Sequence, residues 1–386
     1  MIRKIFFIAL TIFYLSGSIL TIDAVHAKEL CVNNSLNKFQ NQVKDEQVNV
    51  QDGPYVFWIG HHAIVQYVCN NQKITHHFEV TDSINIASSC EDTSITYKIS
   101  ADPPSPESDT FVGATKIFAI SDIHGNFEQL IKLLKGNKII DNNLHWNWGN
   151  GHLVIIGDVF DRGEKVTEAL WFIYQLEKQA RKDGGQVHFV LGNHEIMVLR
   201  GDLRYVNKKY TTITSRKLKI KVQDLYGPET ELGRWLRSKN VIIKINNILF
   251  VHAGISPVLP KRNYTIEKVN QIIRKSIDVR DYAIRFNEEL ELLYGSEGPL
   301  WYRGYIMDRD DIPMATEEQV ISILAFYHAE AVVVGHTIID TLTSYFGGHV
   351  FAIETGIHEG AEGEALIWEN GKFYRSNVHG QREFLK

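Results

Sequence analysis

Five short polar segments, each punctuated by glycine, carry residues able to do chemistry. They are Asp122-Ile123-His124-Gly125, Gly157-Asp158-Val159-Phe160-Asp161-Arg162-Gly163, Gly192-Asn193-His194-Glu195, Val251-His252-Ala253-Gly254 and Gly335-His336-Thr337. Their donors are carboxylate oxygens, an amide oxygen and imidazole nitrogens. This mixed set accepts Mn, Fe, Zn or Mg with little discrimination. Asp122 and His124 stand two apart in one loop, and Asp158 has two oxygens with which to bridge two ions. Asn193 adds a neutral oxygen, and His252 and His336 each close an apolar run. A pair of divalent ions about 3.5–4 Å apart activates a water and clamps a phosphoryl group. Burying this many polar groups without ions would cost several kcal/mol. The expectation is a metal-dependent phosphoesterase whose metal ligands are Asp122, His124, Asp158, Asn193, His252 and His336.

The same segments offer acid-base and phosphate-binding groups. His194 is a candidate general acid, because imidazole titrates near working pH. Asp161 is placed to orient such a group, and Glu195 to fix the loop. Arg162 presents a planar donor fork suited to phosphate. Arg303, in Gly298-Pro299-Leu300-Trp301-Tyr302-Arg303-Gly304-Tyr305, supplies a second guanidinium. The candidate catalytic residues are therefore His194, Asp161, Arg162 and Arg303.

Positioning falls to the elements around these segments. Each follows an apolar run that reads as a buried strand, so the polar residues stand at strand C-terminal edges, where open α/β sheets place ligands. Lys116 to Ile120, Leu153 to Ile156, Val187 to Leu191, Val241 to Ile245, Ile248 to Val251, Val332 to Val334 and Val350 to Ile353 read as strands. Phe127 to Leu134, Val166 to Arg181, Ile266 to Ile277 and Glu317 to His328 have helical periodicity. Asn246-Asn247 and Asn370-Gly371 read as hairpin turns. The expected fold is α/β, an αββα sandwich of two central mixed sheets flanked by helices, preceded by a small β-rich domain. In that earlier region Pro54 to Ile59, Ala63 to Val68, Ile74 to Val80 and Ile95 to Ile99 are strand-like, with Asn70-Asn71 as a turn. His61-His62 and His76-His77 there read as solvated strand-edge residues rather than ligands.

The expected organisation is a signal peptide over 1–27, a β-rich domain over 28–101, a Pro-rich linker over 102–112 and the catalytic domain over 113–386. Arg3 and Lys4, the apolar run from Ile5, and Val25-His26-Ala27 make the signal peptide. They imply a periplasmic or secreted protein. The alternative is membrane anchoring by an uncleaved N-terminal segment. The three cysteines, Cys31, Cys69 and Cys90, all precede the chemistry-bearing segments, and Cys69–Cys90 is the expected disulfide. The net charge of -5 carries no footprint for nucleic acid.

Together the motifs resemble the calcineurin-like metallophosphoesterases, in the phosphoprotein phosphatase branch. The resemblance spans about Thr115 to Gly356. Gly201-Asp202-Leu203-Arg204-Tyr205-Val206, Gly233-Arg234-Trp235-Leu236 and Pro299-Leu300-Trp301-Tyr302-Arg303-Gly304 resemble the Shewanella-like phosphatases in particular. The resemblance implies that Asp122, His124 and Asp158 hold one metal, and Asp158, Asn193, His252 and His336 the other. It implies His194 as acid, oriented by Asp161, with Arg162 and Arg303 on the phosphate. A hydroxide bridging the two ions would attack phosphorus directly. Two departures stand out: Ser121 replaces the usual Gly before the first Asp, and Thr337-Ile338 lacks the second His of other branches. The implied substrates are phosphoproteins, phosphotyrosine included, or small phosphate esters. The alternatives are a dinucleoside polyphosphate or nucleotide hydrolase, and a catalytically inactive binding module.

Overall fold

Two six-stranded sheets form the centre of the molecule, and both are mixed. In spatial order the first runs Thr343–Tyr345, Val350–Ala352, Ala331–Val334, Ile248–Val251, Ile242–Ile245, Thr110–Phe111. The second runs Arg382–Phe384, Lys372–Ser376, Ala365–Glu369, Lys116–Ile120, His152–Ile156, Gln186–Val190. The computed structural model describes residues 49–90, 93–309 and 312–386. The expected signal peptide and Cys31 lie outside them.

The strand sequences explain the layering. Along Lys116–Ile120, Ile117 and Ala119 enter the apolar layer between the sheets, while Phe118 and Ile120 join the layer under the helices. His152–Ile156 divides the same way, with Val154 and Ile156 inward and Leu153 and Ile155 outward. Both faces of these central strands are covered, so they read as continuous apolar runs rather than alternating ones. The αββα sandwich is therefore the fold. The inter-sheet layer also takes Ile243, Ile245, Phe250, Val333 and Phe351 from the opposing sheet.

Hairpin turns fall where paired Asn or Asn-Gly interrupts the strands. Asn70 and Asn71 have φ of 49° and 61°, and Asn370 and Gly371 have φ of 53° and 78°. Positive φ at both central residues matches the twist of the flanking strands. Asn246, with φ 52°, joins Ile242–Ile245 to Ile248–Val251.

The earlier β-rich segment contributes a sheet of Asp52–Ile59, His62–Cys69 and Gln72–Glu79, and a hairpin of Ser83–Ala87 with Thr96–Ser100. A Cys69–Cys90 disulfide ties the two together. His61, His62, His76 and His77 are exposed on this sheet. Trp58 Nε1 donates to Glu231 Oε2 at 2.8 Å, and Trp171 Nε1 donates to the Pro54 carbonyl at 2.8 Å. These bonds fasten the sheet to the helices Val166–Lys182 and Glu231–Arg237. Val50–Lys386 is accordingly one compact unit. Within the stretch read as a linker, Thr110–Phe111 adds a parallel edge strand beside Lys244 and Ile245.

Candidate metal centre

Local backbone geometry prepares the site. Asp122, His124, Asp158, Asp161, Arg162 and His336 all have φ between 46° and 73°. A non-glycine residue held there costs of order 1–3 kcal/mol, and such strain gathers at functional loops. Close backbone approach is enforced as well. A Cβ on Gly192 would lie 2.2 Å from Asp158 Oδ1, and one on Gly335 would lie 1.9 Å from Ser121 Oγ. Ser121, the departure noted above, fills the remaining space usefully. Its hydroxyl sits between the Asp122 carboxylate and the Ile156 carbonyl, 3.1 Å from the latter.

Glu195 organises the central loop. Its Oε2 accepts from the Asp158 and Gly192 amides at 2.9 and 2.7 Å, and its Oε1 from the Val159 and Phe160 amides at 2.8 and 3.1 Å. Burial and the neighbouring Asp158 push its pKa up to about 7, against the pull of those amides.

The six expected ligand side chains meet at one place. His252 Nε2 lies 3.2 Å from Asp158 Oδ2, 2.9 Å from Asn193 Oδ1 and 3.2 Å from His336 Nδ1. His124 Nε2 lies 3.7 Å from Asp158 Oδ2 and 4.0 Å from Asp122 Oδ1. Asp158 thus stands between two clusters, as a bridging carboxylate must. All six residues are buried.

The chemistry of the donors fits a pair of cations. His124 Nδ1 donates to the Phe160 carbonyl at 2.7 Å, and His252 Nδ1 to the Ile156 carbonyl at 2.8 Å. A carbonyl can only accept, so Nδ1 carries a proton in each ring and Nε2 is the atom turned toward the centre, the arrangement of metal-binding imidazoles. Burial lowers the His124 pKa to about 3 and holds His336 well below its usual value. Burial opposes the charge on Asp158, yet His252, His194 and His124 hold its carboxyl well below the usual range. Burial also works against His252, but Asp158 and Asp122 draw its pKa up to about 9. A cage that pulls a proton onto a buried imidazole is one that seeks positive charge.

His194 is held differently. Its Nδ1 meets Asp161 Oδ2 at 2.5 Å, and its Nε2 lies 3.7 Å from Asp158 Oδ2. Burial lowers its pKa, but Asp158 and Asp161 outweigh that and raise it. A carboxylate partner favours the imidazolium, which has no lone pair for a metal. Arg162 and Arg303 line the same pocket, of about 280 Å3, with Tyr205, Trp301, Met307 and Ile338 at its rim. Arg303 Nη1 donates to the His336 carbonyl at 2.9 Å and Thr337 Oγ1 at 3.0 Å. The Arg162 guanidinium lies 5.4 Å from the Tyr205 ring centroid.

Two residues outside the expected set also belong here. Glu354 is buried, accepts from the Gly356 amide at 2.9 Å, and leaves Oε2 without a hydrogen-bond partner. His358 lines the pocket 4.8 Å from the His124 ring, its Nδ1 3.7 Å from Glu354 Oε1. The signal was present, since Glu354-Thr355-Gly356 follows a strand as the other segments do. A larger cavity of about 480 Å3, lined by Ser105, Arg181 and His188 among others, contains none of these residues.

Comparison with known proteins fits this geometry. The family model of the calcineurin-like phosphoesterases matches residues 115–340, and the chain belongs to that family. It is a metal-dependent phosphatase; the family works through a dimetal centre. It is 33% identical to Shewanella-like protein phosphatase 1 of Plasmodium berghei, over 63% of this chain and 67% of that one. It is 31% identical to an uncharacterized protein of Schizosaccharomyces pombe, over 66% of this chain and 76% of that one. Among solved structures it resembles the cold-active protein-tyrosine phosphatase of a psychrophilic Shewanella species. The TM-score is 0.81 at 40% identity, covering 87% of this chain and 100% of that one.

Proposed function

We infer that this phosphatase is a phosphomonoesterase acting on phosphoproteins, with phosphotyrosyl side chains among its substrates, by direct hydrolysis. The observation that carries this reading is the convergence, in one open pocket, of the His/Asp cluster, the His194–Asp161 pair and the Arg162 and Arg303 guanidinium groups. Asp122, His124 and Asp158 would hold one ion, and Asp158, Asn193, His252 and His336 the other. Two divalent ions, when bound there, supply a nucleophile at neutral pH and neutralise phosphoryl oxygens.

The chain's own residues do the rest. Arg162 and Arg303 grip the phosphoryl oxygens through charge-assisted hydrogen bonds that strengthen as charge redistributes. His194 keeps a proton on Nε2 and passes it to the ester oxygen as the P–O bond breaks. Asp161 holds Nδ1–H throughout, so the ring stays oriented and its cationic form stays favoured. The rim of Tyr205, Trp301, Met307 and Ile338 offers apolar surface to an aryl leaving group. The similarity to a solved protein-tyrosine phosphatase supports that choice. An exported location agrees with the Cys69–Cys90 disulfide, because such bonds persist in oxidising compartments.

The test is a substrate panel on the metal-loaded protein: phosphotyrosyl and phosphoseryl peptides, a small aryl phosphate and a dinucleoside polyphosphate. Phosphate release from the phosphotyrosyl peptide is expected. Cleavage of the dinucleotide alone would replace this reading with nucleotide hydrolysis.

A further inference from the structure

The pocket over the His/Asp cluster continues past Trp301. A second cavity of about 220 Å3 lies beside it, with Asn193 and Trp301 lining both. Its walls include Met197, Tyr294, Arg200, Arg204, Asp202 and Asp281. None of the charged residues is used by the chemistry described above.

Arg200 is the fixed part. Its side chain is 7% exposed, its Nε donates to the Val279 carbonyl at 2.9 Å, and its guanidinium lies 4.8 Å from the Tyr294 ring centroid. Its Nη2 sits 2.6 Å from Asp281 Oδ1 yet makes no hydrogen bond of acceptable geometry. That carboxylate is 70% exposed, on a four-residue helix, Asp281–Ile284. A buried cation facing a substrate cavity is thus paired with an exposed, misaligned partner, which makes the partner exchangeable. Arg204 adds a second guanidinium, forked on Asp202 at 2.9 and 2.7 Å and 5.7 Å from the ring of Tyr205 on the catalytic rim.

Resting on the phosphoprotein reading, we propose that this cavity is a subsite for an acidic side chain flanking the phosphorylated residue, with Arg200 as its anchor and Asp281 standing in for it when no substrate is bound. An extended peptide advances about 3.3 Å per residue. A side chain one or two positions from the phosphorylated residue therefore spans the single indole between the pockets. A substrate carboxylate then meets Arg200 in a desolvated setting, and Asp281 swings to water at little cost because it is already exposed.

The test uses the full, metal-loaded chain and two peptides that carry a non-hydrolysable phosphonate in place of phosphotyrosine. They differ only in Glu or Gln at the flanking positions, and binding is measured by calorimetry. The Glu peptide is expected to bind roughly fivefold tighter at low salt, the upper end for exchanging one ion pair for another near a surface. The difference should shrink as ionic strength rises. It should vanish in Arg200→Gln, survive in part in Arg200→Lys, and widen in Asp281→Asn, an exposed substitution that does not threaten folding. Equal affinities in the unsubstituted protein, a difference that persists in Arg200→Gln, or one that is unchanged in Asp281→Asn would each overturn the subsite. Binding of neither peptide would do the same. Turnover of a small aryl phosphate is measured alongside. Its absence counts against the phosphatase reading and leaves the binding difference readable.

Discussion

His194 and Glu195 are sequence neighbours with opposite tasks, and their environments separate them. His194 points its Nε2 into the pocket and gives its Nδ1 to Asp161. His194→Asn keeps a donor but not one that can exchange a proton near neutral pH, so turnover should fall at least about 10²-fold. Single-turnover kinetics on the metal-replete variant checks this, and near-normal turnover would remove His194 from the acid role. Asp158→Asn should lose at least as much, with less metal bound per chain by elemental analysis, because a neutral amide replaces the carboxylate proposed to bridge the two ions. Glu195 faces inward and accepts four backbone amides. Glu195→Gln has only one acceptor oxygen and puts an NH2 against two buried N–H donors. Its stability should drop by about 2–4 kcal/mol, measured by denaturant unfolding.

At the scale of elements, the sheets decide where chemistry is possible. The loops that carry the expected ligands leave the C-terminal ends of strands, while polar groups further back along the strands are structural. His152 and His188, on adjacent strands, illustrate the second kind. Their rings stack with centroids 5.1 Å apart, joined by a 3.0 Å Nδ1–Nε2 hydrogen bond. Burial holds His188 well below its usual 6.5 and lowers His152 too. The unfolded chain therefore takes up protons below about 6.5 that the folded pair refuses. This contribution to stability is present above that pH and is lost as pH falls through it. The melting temperature should decline between about pH 7 and about pH 5.5, and less steeply in His188→Phe. Parallel slopes in the two proteins would show that the pair does not contribute.

At the scale of the molecule, the N-terminal sheet and the catalytic body share one core. Tyr55 OH lies 3.1 Å from Thr167 Oγ1, and Tyr226 packs against Phe160, whose carbonyl orients His124. Removing residues 50–101 would strip Trp171 of the stacked Tyr97 ring and its bond to the Pro54 carbonyl, and Glu231 of the Trp58 bond. Such a chain should be insoluble or lack a cooperative melting transition by circular dichroism. A folded, active truncated protein would show that the sheet is dispensable. Chelation should abolish phosphatase activity and lower the melting temperature, and Mn should restore both, since a ligand that binds only the folded state stabilises it. Among the described residues no helix is long and apolar enough to cross a membrane.

Much of this was legible in the sequence. The central strands announce themselves because both faces are buried, and hence apolar over consecutive residues, as in Leu153, Val154, Ile155 and Ile156. The candidate ligands announce themselves because a dimetal cage would need Asp, Asn and His directly after such strands. Short edge strands such as Thr343–Tyr345 and Arg382–Phe384 carry no such signature, since their existence depends on the neighbour they pair with. Glu354 and His358 join the site only because Val350–Ala352 packs beside Ala331–Val334, the strand that leads into His336. The exchangeable Arg200–Asp281 pair is likewise invisible in one dimension, because its partners are 81 positions apart, 281 minus 200. Residue type and local spacing fixed which atoms could bind metal and phosphate. Only the packed chain decided what stands next to them, because burial and distance between remote segments are properties of the fold.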